Sequence, residues 1–275
     1  MKNLLRFIAI VLTVASLSSC QKELINPGNT PVKIDVDAQK FIDSTGITDS
    51  TLKLAIDSYV KQLKDSSLWT KFKAIYPMLG GTSASAKWNL KDPRNTDDAY
   101  RLTFNGSPVF ASTGVLFQTS ADYADSHLTD GALTYNDNSI SYYSRTQNNV
   151  AGYDMGCNDA SSPYNEFAIY DTTDASNWFG YYAFGAKPAI TKGLFMLSST
   201  SVDVKRFENG IVTNAKGSAP VSGATNMSIL IGTVANASFG GQRECALATI
   251  GSGLTDAQTL TFYNIVQKFI SALGR

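Results

Sequence analysis

The chain has 275 residues, 23 basic against 23 acidic side chains, and a single histidine. Charge so sparse and balanced excludes a nucleic-acid binder, which needs a concentrated basic surface. Only 17% of residues are charged while 11% are aromatic, and Gly, Ser, Thr and Asn abound, a mixture that points to an all-β domain outside the cytoplasm.

The start reads as a secretory signal. Lys2 and Arg6 precede an apolar run from Phe7 to Leu17, then small residues. That run is shorter than the roughly 20 residues needed to span a bilayer. Leu17-Ser18-Ser19-Cys20 resembles the bacterial lipoprotein lipobox, which implies lipid attachment at Cys20 and removal of residues 1–19. Loss of Lys2 and Arg6 takes the basic count from 23 to 21 against 23 acids, a net charge near −2. Residues 20–34 contain Pro27, Gly28 and Pro31 without periodicity and read as a tether. Lys22-Glu23 resembles the short charged signal of Bacteroidota lipoproteins. It implies an outer-membrane protein, lipid-anchored and facing outside the cell, with the membrane as a partner through Cys20.

Residues 35–81 read as a helical block. Asp37 to Thr45 forms a short helix closed by Gly46. A longer helix starts at Ile47-Thr48, with Leu52, Ile56, Tyr59, Val60 and Leu63 on one 3.6-period face. Thr48 is its expected cap and Ile47 its hydrophobic staple on Leu52. Trp69, Phe72 and Ile75 continue the apolar stripe to Pro77. The block is expected to pack on the main domain, since helices this short are marginal alone.

Residues 82–275 read as one β domain with a C-terminal helix. Short runs rich in β-formers recur at Tyr100–Phe104, Val109–Phe117, Ser139–Arg145, Glu166–Tyr170, Asn177–Phe184, Gly193–Ser198, Val202–Glu208, Met227–Ile231 and Glu244–Ile250. The run Gly193–Ser198 suits burial on both faces, Val202–Phe207 alternates with period 2, and Asn209-Gly210 signals a hairpin. The fold class expected is mainly β, a two-sheet antiparallel jelly-roll sandwich. Thr255 and Gln258 form a capping box for the last helix, which Gly274 closes. Cys157 and Cys245 are either a disulfide or two buried thiols.

The order of several short motifs carries a resemblance. Val204 to Gly210, Ile229-Leu230-Ile231-Gly232, Phe239-Gly240-Gly241, Arg243 to Ile250 and Gly253 to Ala257 together resemble concanavalin A-like jelly rolls of the laminin-G type. Trp69 to Gly106 also resembles uncharacterised proteins of Bacteroidota and their phages, which implies no activity. The jelly-roll resemblance implies a carbohydrate- or polymer-binding surface and makes calcium the one candidate cofactor, through Asp159, Asp171 and Asp174.

Glucanases of this fold carry Glu-x-Asp-x-x-Glu on one strand, and retaining hydrolysis needs two carboxylates about 5–5.5 Å apart. Glu23, Glu166, Glu208 and Glu244 have no acid at the alternating positions. His127 has no Gly-x-Ser-x-Gly elbow to serve and reads as an ordinary surface or hydrogen-bond-satisfied residue. One His and two distant Cys lack zinc spacing. The remaining ligand candidates are rings that could stack on sugars: Trp178, Tyr181, Tyr182, Tyr142, Tyr143 and Tyr164. The expectation is therefore no enzyme, but a lipid-anchored, non-catalytic module for glycan or surface polymer. A structural or adhesive protein that contacts another protein is the alternative.

Overall fold

The computed structural model describes residues 33–134, 136–148, 150–159, 165–171, 176–179, 182–185, 191–217, 226–234 and 240–275. The proposed signal, Cys20 and the tether up to residue 32 lie outside the described residues. So do Tyr164, Asp174 and Tyr181.

Residues Ile34–Arg275 form one compact unit, in which the described residues make two antiparallel sheets and four helices, the shortest of them α3 (Ser83–Ala86). The larger sheet has eight strands. Its members are β1 (Phe72–Tyr76), β3 (Val109–Ala111), β4 (Gly114–Leu116), β6 (Asn138–Ser144), β11 (Gly193–Ser199), β12 (Asp203–Glu208), β13 (Ile211–Gly217) and β15 (Glu244–Gly251). They run in the order β13-β12-β11-β6-β15-β4-β3, with β1 also on β15. The smaller sheet has seven strands: β2 (Thr103–Asn105), β5 (Tyr123–Thr129), β7 (Gly152–Asp159), β8 (Asn165–Asp171), β9 (Ser176–Phe179), β10 (Tyr182–Gly185) and β14 (Ser228–Ile231). Its order is β10-β9-β8-β7-β14-β5-β2. The mainly β, two-sheet sandwich expected from the sequence is the fold found.

Two cores explain why the larger sheet is buried on both faces. Between the sheets lie Ile140, Tyr142, Phe195, Leu197, Ala248 and Ile250 from the larger sheet, against Met155, Phe167, Ile169, Ile229 and Ile231 from the smaller. On the opposite face, Tyr143, Leu194, Met196 and Leu247 meet the helices. These are α1 (Val36–Thr45), α2 (Ser50–Asp65) and α4 (Asp256–Ala272). Tyr59 stacks on Phe269 at 4.3 Å and Phe72 tilts against Phe262 at 4.9 Å. Each such ring contributes roughly 1.5–3 kcal/mol by leaving water. Helices, larger sheet and smaller sheet therefore form three layers.

Several expectations are corrected locally. Asp49, not Thr48, caps α2 by accepting from the Leu52 amide at 2.8 Å. The stripe after Trp69 is strand β1, because pairing with β15 overrides the spacing of Trp69, Phe72 and Ile75. Val109–Phe117 and Asn177–Phe184 each fold back as two strands. The capping box of Thr255 and Gln258 is present. At the β12–β13 turn, Asn209 and Gly210 have φ of 52° and 79°, the geometry that Asn-Gly favours in a tight hairpin. Cys157 and Cys245 are both buried thiols of the inter-sheet core.

Candidate functional site

Among the described residues, the central strands of the larger sheet are covered on both faces, and the outer face of the smaller sheet is a broad surface open to a ligand. On β5, Ala124, Ser126 and Leu128 are buried while Tyr123, Asp125, His127 and Thr129 are half-buried. β2 pairs Thr103 with Asp125 and Asn105 with Tyr123, so these side chains share that outer face.

The β5 strand is bulged where it matters. Against β14, Thr129 stands opposite Ser228 and Asp125 opposite Leu230. Ser126, His127 and Leu128 thus face Ile229 alone. The buried Ser126 hydroxyl pins the bulge by donating to the Ile229 carbonyl at 2.6 Å and accepting from the Leu128 amide at 3.2 Å. His127 has a φ of 55°, in the left-handed region that side chains other than glycine seldom occupy. The Asp125 carboxylate accepts from the His127 amide at 2.8 Å and holds the turn. Bulges of this kind re-aim a side chain.

His127 is aimed into a polar cluster. Its Nε2 lies 2.8 Å from Thr103 Oγ1 and 3.6 Å from Asp97 Oδ1. Its Nδ1 lies 4.0 Å from Asp125 Oδ2. Arg101 Nη2 donates to Asp97 Oδ1, whereas Arg101 Nε is buried and meets no acceptor. The side chains of His127, Arg101 and Asp125 are about a quarter exposed, and Asp97 is more open. Beside them Arg94 grips Asp92 through three bonds and Asp98 through one.

Buried bonding positions the Asp97–Ala99 turn that supplies this acid. Asn89 accepts from the amides of Ile75 and Lys91, both at 3.0 Å, and donates to the carbonyls of Lys73 and Ala99 at 3.2 and 3.1 Å. Tyr76 donates to the Tyr100 carbonyl at 2.7 Å. Strand β1 thereby sets the height of the turn over the sheet.

The ring and metal candidates fall elsewhere. Tyr142 is fully buried between the sheets, its hydroxyl donating to the Arg243 carbonyl at 3.0 Å. Tyr143 is buried under the helices. The expectation that these two rings contact ligand is corrected: β6 is a central strand with a core on each face. Trp178 and Tyr182 are strand positions on the adjacent β9 and β10. Asp159 pairs with Asn165 and Asp171 with Gly152, at opposite ends of the β7–β8 hairpin. At about 3.3 Å per residue they are roughly 20 Å apart and do not meet at one site. Among the described residues, no group of three or more His, Cys, Asp or Glu side chains is arranged to hold a metal ion.

No family model matches this sequence, and no curated protein matches it. The structure is similar to that of a Trypanosoma rangeli sialidase in complex with sialic acid, with a TM-score of 0.53 and 10% identity over 79% of this chain and 40% of that one. It is similar to an α-L-arabinofuranosidase of family GH54, with a TM-score of 0.52 and 12% identity over 78% of this chain and 65% of that one. A weaker likeness is to domain 4 of a Geobacillus stearothermophilus arabinanase in complex with arabinotriose, with a TM-score of 0.45 and 15% identity over 70% of this chain and 98% of that one. The chain therefore spans less than two thirds of the sialidase and of the arabinofuranosidase. These neighbours correct the expectation of a non-catalytic module and of no enzyme: the sandwich is shared with solved enzymes.

Proposed function

We propose that this protein is a glycan-active β-sandwich and that its sugar site is the cluster of Asp97, Arg101, Thr103, Asp125 and His127. The observation that carries the reading is the bulge on β5, which turns the only imidazole of the chain outward among two carboxylates, a guanidinium and a hydroxyl. Planar groups that donate and accept in pairs suit the adjacent hydroxyls of a sugar ring. The sialidase bound to sialic acid and the arabinofuranosidase, which share the fold, lend support.

Of the rings expected from the sequence, Trp178 and Tyr182 belong to strands of the same sheet and extend this reading along it. Strand β9, with Trp178, is four strands from β5, roughly 19 Å at 4.8 Å per strand. A polymer of several sugars spans that distance. Titration of arabinotriose and of sialyllactose into the full chain, followed by product analysis, tests the function. Binding or turnover that falls at least tenfold in Asp97→Ala and Trp178→Ala supports it. A folded protein that neither binds nor alters a broad glycan panel overturns it.

For location, we propose lipid attachment at Cys20 and exposure on the outer membrane. Support comes from the order Lys2, Arg6, an apolar run, then Leu17-Ser18-Ser19-Cys20 and Lys22-Glu23. Radioactive palmitate that still labels Cys20→Ala rejects the assignment.

A further inference from the structure

We propose that Thr103 and His127 form a nucleophile–base pair that hydrolyses carboxylic esters carried by the glycan. This rests on the cluster being the substrate-facing site, and it names the bond attacked there. A hydroxyl within hydrogen-bond reach of an imidazole, itself oriented by a third group, is the arrangement of covalent acyl-transfer catalysis. Thr103 Oγ1 and His127 Nε2 are 2.8 Å apart. Asp97 lies 3.6 Å from that nitrogen, beyond hydrogen-bond distance, and is held by Arg101. Thr103 is therefore the group bonded to Nε2.

Asp125 is the positioning residue. One of its oxygens fixes the His127 backbone at 2.8 Å, and the other faces Nδ1 at 4.0 Å. With the imidazole proton on Nδ1, Nε2 accepts from the Thr103 hydroxyl. Arg101, two residues before Thr103, keeps its buried Nε–H without an acceptor.

In the forward step, Thr103 Oγ1 bonds to the carbonyl carbon while its proton passes to His127 Nε2. The bond from carbonyl carbon to sugar oxygen breaks, and that oxygen takes the proton from Nε2. Water then attacks the acyl-threonine and yields its proton to Nε2. The bond to Oγ1 breaks, Thr103 recovers the proton, and a carboxylic acid leaves. Glycoside cleavage would instead need a carboxyl that stays protonated near the sugar. Burial pushes the Asp154 carboxyl up, but it is sealed against Arg243. The carboxylate of Asp97 is committed to Arg101 and that of Asp125 to the His127 turn.

The test uses p-nitrophenyl acetate with the full chain, reading p-nitrophenol release and, after acid quench, the acetylated peptide. The expected result is acetyl on Thr103, kept in Thr103→Ser and lost in Thr103→Val. His127→Ala should slow release by about a hundredfold, the scale of general-base assistance. Should His127→Ala not fold, the Thr103→Val and Thr103→Ser pair still decides. Equal release from wild type, Thr103→Val and His127→Ala, or an adduct only at other residues, overturns the proposal. Arabinotriose binding without acylation overturns the ester reaction and leaves the glycan site standing. Acylation without sugar binding supports the reaction and removes the glycan reading.

Discussion

Replacing Asp154 by Ala should cost about 3–5 kcal/mol, the penalty for stranding one member of a buried ion pair. Arg243 and Asp154 have side chains 1% and 3% exposed, with Nη1 and Oδ1 2.9 Å apart. Arg243 Nη2 also donates to the Val150 carbonyl at 2.8 Å. The pair clips the start of β15 in the larger sheet to β7 in the smaller. Its space is reserved: a Cβ on Gly241 would lie 2.3 Å from Asp154 Oδ1 and 2.4 Å from Arg243 Nη1. Burial raises the Asp154 carboxyl despite the attraction of Arg243, so desolvation is the larger effect. It follows that the double change Asp154→Leu with Arg243→Met should cost much less than Asp154→Ala alone, because no charge is left stranded. Urea unfolding followed by tryptophan fluorescence measures both. A loss under about 1 kcal/mol for Asp154→Ala, the scale of an exposed pair, would show that water reaches the guanidinium and would refute the reasoning.

Asn89→Ala should cost roughly 1–3 kcal/mol for each buried group it strands, and it should weaken sugar binding by releasing the Asp97–Ala99 turn; denaturation and titration of the same sample check both. Ser126→Ala should remove the pin of the β5 bulge, with a smaller stability loss of about 1 kcal/mol and a larger loss at the site. Acid should loosen α1. The Lys64 hydrogen bond, outweighing burial, lowers Asp37, and for Asp35 the bonds from Lys64 and the Asp37 amide outweigh a burial effect of opposite sign. Acids lowered by folding contribute stability that is present above their unfolded values and lost as pH falls through the folded ones. Amide exchange in α1 should therefore quicken below the ordinary carboxylate range, and Lys64→Met should flatten that dependence.

Where local pattern and tertiary pairing agree, the strands were legible. Val204 lies in the inter-sheet core and Phe207 under the helices, on either side of a register shift between Arg206 and Phe207, and β11 is buried throughout because a core lies on each side. β1 reads as helix because Trp69, Phe72 and Ile75 fit a helical spacing that only pairing with β15 contradicts. β5 carries no clear period-2 signal because its inward positions are Ala124, Ser126 and Leu128. Two of the three are small, and one is polar and satisfied by a carbonyl of β14. The candidate site was hidden for the same reason. Thr103 and His127 are 24 residues apart, and only the β2–β5 register sets one beside the other.

The same buried hydroxyl links core to site. Ser126 is fully buried, and its bond to Ile229 absorbs the extra β5 residues that turn His127 outward. A strand with Val in place of Ser126 would pack its core face as well and alternate more cleanly. It would also have no partner for the Ile229 carbonyl or the Leu128 amide, so the regular ladder would be the cheaper arrangement. In that ladder His127 leaves the left-handed region and moves away from Thr103. A polar residue at an inward position of an otherwise apolar strand is thus explained by the geometry it imposes on the opposite face, where the cluster lies.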